Sequence, residues 1–75
     1  MIKDFEKLTL NERADYVWQH AKYINNRSYY GYSINLYGLN GTYIEVWYFE
    51  NTQQIEKVEV LKNEKIIEQY LKQLN

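Results

Sequence analysis

The chain is 75 residues long, with no cysteine, one histidine and a formal net charge of −1. That length makes one small domain with a limited core. The absence of thiols excludes disulfides and thiolate metal sites, a single imidazole excludes a histidine-rich zinc site within one chain, and near-neutral charge leaves no electrostatic footprint for nucleic acid or an anionic membrane.

Aromatic residues make up 17% of the chain and proline is absent, a composition that folds rather than stays disordered. Small domains are commonly reinforced by disulfides, metals or oligomerisation, so oligomerisation is the reinforcement left. The opening MIKDFEKL is too charged for a signal peptide, and no segment approaches the roughly 20 apolar residues of a membrane span. A cytoplasmic protein is expected. The sequons Asn26-Arg27-Ser28 and Asn40-Gly41-Thr42 are then without consequence.

In chain order, Ile2, Phe5 and Leu8 stand three apart, as in one helical turn laid on a core. Thr9 followed by Glu12 reads as a capping box that opens a helix. Leu10, Ala14, Val17, Ala21 and Ile24 continue it as a narrow apolar stripe flanked by Trp18, with Asn25-Asn26 as the stop. At the other end Asn63 caps a second helix over Glu64 to Leu74. Ile66, Ile67, Tyr70, Leu71 and Leu74 form its apolar face, and Glu68 and Lys72 stand four apart in the favourable order.

Three β segments lie between: Ser28–Leu36, Thr42–Phe49 and Ile55–Leu61. The sequence GLNGT allows two turns. A two-residue Asn40-Gly41 turn sets Leu36 opposite Glu45 and Ile34 opposite Trp47, mixing polar and apolar residues on both faces. A three-residue turn with Gly41 as a bulge pairs Leu36 with Ile44 and Ile34 with Val46, which separates the faces. The hydrophobic pattern favours the second. For the third strand, one register puts Val46 beside Val58, Trp47 beside Lys57 and Glu45 beside Glu59; another pairs Glu45 with Lys57 and Trp47 with Ile55.

The expected architecture is an α+β domain of order αβββα. Its three-stranded antiparallel meander would carry both helices on one face, over Tyr32, Ile34, Leu36, Ile44, Val46, Val58 and Val60. Two helices side by side are wide enough to cover three strands. The opposite face would then present Tyr29, Tyr37, Tyr43, Glu45, Trp47, Phe49, Ile55 and Lys57, five aromatics and an isoleucine among them. So large an apolar patch marks an interaction surface, rich in the residue types that dominate binding hot spots. A homodimer, face to face or edge to edge, is the leading use. The alternatives are a platform for another protein, and one helix on each face, which makes Trp47 core.

Other chemistry is thin. Aromatic sheets stack single-stranded bases, but this face offers Lys57 and Arg27 against Glu45 and Glu59, without the basic groove such binders need. His20 would share a helix flank with Tyr16 and Tyr23, the outline of a general base between phenols; an amphipathic flank explains the same spacing. Glu45 and Glu59 could form a carboxylate pair only in the register that juxtaposes them. No nucleophile elbow and no phosphate loop occurs, and no cofactor or metal is implied. The expected function is therefore binding rather than catalysis.

Overall fold

The computed structural model describes residues 2–73. A 3-10 helix (Ile2–Lys7) leads into α1 (Leu10–His20), four strands follow as β1 (Lys22–Tyr29), β2 (Tyr32–Leu39), β3 (Thr42–Phe49) and β4 (Ile55–Val60), and α2 (Glu64–Lys72) closes the order. The strands form one antiparallel sheet in sequence order. This is an α+β fold, with four strands rather than the three expected.

Both helix starts form as the sequence indicates. Thr9 Oγ1 accepts the Glu12 N–H at 3.2 Å and Glu12 Oε1 accepts the Thr9 N–H at 2.9 Å, while Asn63 Oδ1 accepts the N–H groups of Lys65 and Ile66. Leu74, expected to end α2, lies outside the described residues. The stop of α1 comes early. The chain leaves the helix at Ala21, in extended conformation, and the stretch expected to finish the helix becomes β1. Tyr23, Ile24, Asn25, Asn26 and Ser28 are all mediocre helix formers. As a strand they also satisfy the backbone of β2, which would otherwise be an open edge.

The extra strand depends on a turn that was not expected. Tyr30 and Gly31 both have positive φ, +37° and +88°, and join Tyr29 to Tyr32 as a two-residue hairpin. Asn40 and Gly41, at +49° and +79°, do the same between Leu39 and Thr42. The three-residue bulged turn is thus corrected to the two-residue one. Its register places Leu36 opposite Glu45 and Ile34 opposite Trp47. The β3–β4 register is the one that pairs Val46 with Val58, Trp47 with Lys57 and Glu45 with Glu59, before a shift that sets Tyr48 against Ile55.

That register makes sense because both faces are covered. Ile44, Glu45 and Val46 are consecutive and all buried. Neighbours on a strand point to opposite sides, so neither side is solvent there. On one side Phe5, Ala14 and Val17 pack with Leu39, Ile44, Val46 and Val58. On the other, Tyr70 of α2 bonds to Glu45 and Arg27, above fully buried Ile34 and Leu36. The expectation of two helices on one face is corrected to a three-layer arrangement. The faces need not divide into apolar and polar when each receives a helix.

Candidate functional site

The α2 side of the sheet divides into two halves. Over β1–β3 at Asn25, Arg27 and Glu45 it is roofed by α2. Toward the Tyr30-Gly31 turn it is open, and a cleft of about 510 Å³ is lined there by Arg27, Tyr29, Tyr32, Glu45, Trp47, Glu56, Lys57 and Ile66. The volume falls within the range of ligand- and side-chain-sized sites.

The floor between the halves is an ionic knot. Glu45 is only 4% exposed, in a strand paired on both sides. Arg27 Nε donates to its Oε2 at 2.9 Å, the Tyr70 hydroxyl donates to the same oxygen at 2.6 Å, and Arg27 Nη2 and Trp47 Nε1 each donate to Oε1 at 3.3 Å. Arg27 Nε also reaches the Tyr70 oxygen at 3.1 Å. A buried carboxylate is tolerated only when paired and hydrogen-bonded, and this one has four donor contacts. Burial pushes the Tyr70 phenol well above its ordinary range, and the adjacent Glu45 adds to the effect. Burial lowers the Arg27 pKa, but the hydrogen bond and charge of Glu45 more than reverse this, so the guanidinium is held charged.

Beyond the knot runs a chain of rings. Tyr30 meets Tyr29 at 4.9 Å, Tyr29 meets Trp47 at 5.9 Å, Trp47 meets Tyr32 at 5.2 Å, and Tyr32 meets Phe49 at 5.2 Å. The first three contacts are edge-to-face and the last is stacked, both favourable arrangements of the ring quadrupoles. Lys57 Nζ lies 4.0 Å from the Trp47 centroid, and the Arg27 guanidinium lies 5.4 Å from it. Both cations here have an opposite neighbour: Arg27 with Glu45, and Lys57 with Glu59 at 3.6 Å. Glu56 accepts the Tyr32 hydroxyl at 2.9 Å, which raises the Tyr32 pKa.

Of the eight residues expected on this surface, Tyr29, Glu45, Trp47, Phe49 and Lys57 come together here. Tyr43 shares the face but sits at the far end of β3, beyond Glu45. Tyr37 and Ile55 lie on the α1 side, packed against that core. Arg27, expected on this face as a cation beside Lys57, lies at its floor, and Tyr30, Tyr32, Glu56 and Ile66 complete the site and were not expected in it. The dipeptide Tyr30-Gly31, matching Asn40-Gly41 in form, was the available signal. It is masked because tyrosine is a poor residue for positive φ.

The other candidates are not assembled. Glu45 and Glu59 do stand opposite each other, but Glu45 is committed to the knot and Glu59 is exposed beside Lys57. His20 is exposed at the end of α1, its ring 4.6 Å from that of Tyr16 and tilted 45° to it, while Tyr23 belongs to β1 rather than the helix flank. Among the described residues no helix is long and apolar enough to cross a membrane, and no group of three or more metal-ligating side chains gathers. The chain matches no family model, no curated protein and no solved structure.

Proposed function

We propose that this chain is a small, non-enzymatic interaction protein, and that the ring chain from Tyr30 to Phe49 is its contact surface, with self-association the leading mode. One observation carries the reading. Tyr30 is 90% exposed and held at φ +37°. Its backbone is strained, and its ring, touching Tyr29 alone among the rings, buries almost nothing in the fold. The hairpin requires the left-handed backbone, but asparagine or glycine would supply it with less strain. An exposed tyrosine ring there has no return within the fold, and such outliers collect at functional positions. Phe49, Tyr29 and Trp47 extend this exposed ring into a continuous strip suited to a dry interface centre.

The charge pattern supports a protein surface over a nucleic-acid platform. The cleft lining carries two cations, Arg27 and Lys57, and two anions, Glu45 and Glu56. A polyphosphate chain needs surplus positive charge, and this lining has none.

Sedimentation equilibrium across a wide concentration range, on the wild type and on Tyr30→Asn, tests the reading. Assembly in the wild type that weakens in the variant is the expected result. A variant that assembles as the wild type does would exclude the ring strip as the contact surface.

A further inference from the structure

The two edges of the sheet are treated differently. Along β4, Arg13 Nη1 reaches over to the Val58 carbonyl at 2.9 Å, the same guanidinium binds the carbonyls of Phe5 and Glu6, and Glu56, Lys57 and Glu59 place charges at half of the strand's positions. A covered and charged edge is protected against pairing with another strand. Along β1 neither device is present. Lys22 stands at its far end, and the charge of Arg27 is turned inward onto Glu45.

The backbone of β1 says what would fit there. A two-residue turn makes its flanking residues, Tyr29 and Tyr32, a hydrogen-bonded pair, so hydrogen-bonded and open pairs alternate from that point. Arg27–Ile34 is then bonded, while Ser28–Ser33 and Asn26–Asn35 are open. Ser28 and Asn26 therefore aim their N–H and C=O groups away from β2. The Asn26 N–H agrees, being held by the Asn25 side chain at 2.8 Å rather than by a strand. The side chains of Asn26 and Ser28 are small, uncharged and exposed. Ser28 thus turns both its N–H and its C=O outward, while Asn26 offers its C=O alone, its N–H being held by the Asn25 side chain. An extended backbone is matched by the complete donor–acceptor set at Ser28.

We propose that two copies of the chain pair antiparallel along β1, with the two-fold axis at Ser28, so that two four-stranded sheets become one of eight. The axis follows from the side chains. At Ser28 it joins two outward-facing backbones and sets each Arg27 beside the partner's Tyr29, repeating between chains the contact that Arg27 makes with its own Tyr29 at 5.9 Å. At Arg27 it would pair Ser28 with the Asn26 backbone of the other copy, whose N–H is already held by the Asn25 side chain. At Asn26 it would bring Ser28 against the irregularity between Tyr23 and Asn25. This inference rests on the self-association reading and supplies its geometry, because Tyr29 and Tyr30 lie at the same end of β1 and the two ring strips meet across the axis.

Sedimentation equilibrium on Ser28→Pro and Ser28→Lys, beside the wild type and Tyr30→Asn, tests it. Ser28→Pro removes an N–H that β2 does not use, a position where an edge strand accepts proline. Ser28→Lys leaves the backbone intact and opposes two ammonium groups across the axis, so it decides the question if the proline variant fails to fold. The wild type is expected to dimerise, with Ser28 amide exchange slowing as concentration rises, and each Ser28 variant to raise the dissociation constant at least about tenfold. Ser28 variants that dimerise like the wild type overturn the β1 edge, whatever Tyr30→Asn does. Loss of assembly in the Ser28 variants but not in Tyr30→Asn keeps the edge and removes the ring strip. A wild type that stays monomeric at every concentration overturns both.

Discussion

Tyr30→Asn should make the monomer more stable while it weakens assembly. The left-handed backbone costs an ordinary side chain roughly 1–2 kcal/mol, and asparagine tolerates it, so the substitution recovers about 1 kcal/mol. Against this stands the edge-to-face contact with Tyr29 at 4.9 Å, which contributes about 0.5 kcal/mol at so exposed a position. Almost no burial is lost, since the ring is 90% exposed. The net gain is about 0.5 kcal/mol, or a rise of roughly 2–4 °C in Tm for a domain of this size. Thermal unfolding followed by circular dichroism, at a concentration where the chain is monomeric, isolates the fold from the assembly. A Tm that falls in the variant would show that the Tyr30 ring supports the fold, and the case for a functional residue held under strain would collapse. Trp47 is a poorer probe. It is half-buried, packed on Tyr29 and Tyr32 and flanked by Lys57 and Arg27, so Trp47→Ala would disturb fold and contact surface together.

The knot allows three further tests. Tyr70→Phe removes the 2.6 Å bond to buried Glu45 and should cost about 1–2 kcal/mol in denaturant unfolding at neutral pH, with the m value unchanged. The same variant should alter the alkaline limb. The folded Tyr70 phenol titrates above its unfolded value near 10, so as pH rises past about 10 the unfolded chain releases a proton that the native chain retains, and stability falls by up to about 1.4 kcal/mol per pH unit. Stability measured from pH 8 to 11 should therefore decline less steeply in Tyr70→Phe, and equal slopes would contradict the burial argument. Glu45→Gln leaves the Arg27 charge without its partner; because the Arg27 side chain retains 20% exposure, a cost of about 2 kcal/mol is expected rather than the 3–5 of a fully buried pair. At the other layer, Arg13→Ala releases the carbonyls of Phe5, Glu6 and Val58 and should cost about 2 kcal/mol, with faster exchange of the Leu8 amide that bonds to Phe5.

What the sequence by itself determined was local. The capping box at Thr9 and Glu12, the Asn63 cap, the buried stripe residues Ala14 and Val17, and the strand character of Thr42–Phe49 each follow from interactions within a few residues, and each is present. Trp47 and Phe49 share a face by alternation along β3, and Lys57 joins them in one of the two registers the sequence left open. Tyr29 reaches that face only because the unforeseen Tyr30-Gly31 hairpin and the two-residue Asn40-Gly41 turn together return it to the side that the bulged turn had assigned. The tertiary structure decided the rest. Ala21 and Ile24 fit the helical stripe and Asn25-Asn26 a helix stop, yet the stretch pairs with β2 as a strand, a gain that depends on a partner distant from any local signal. Asn40-Gly41 is compatible with two turns, and the choice between them depended on whether one face of the sheet or both would be covered. Hydrophobic pattern selects register only when one side is known to face water. Here α1 covers one side, while α2, held by Tyr70 on Glu45, covers half of the other, so a buried glutamate could share a face with Ile34 and Leu36. The half that α2 does not reach is where the rings are exposed, and the placement of a helix nine residues long decided it.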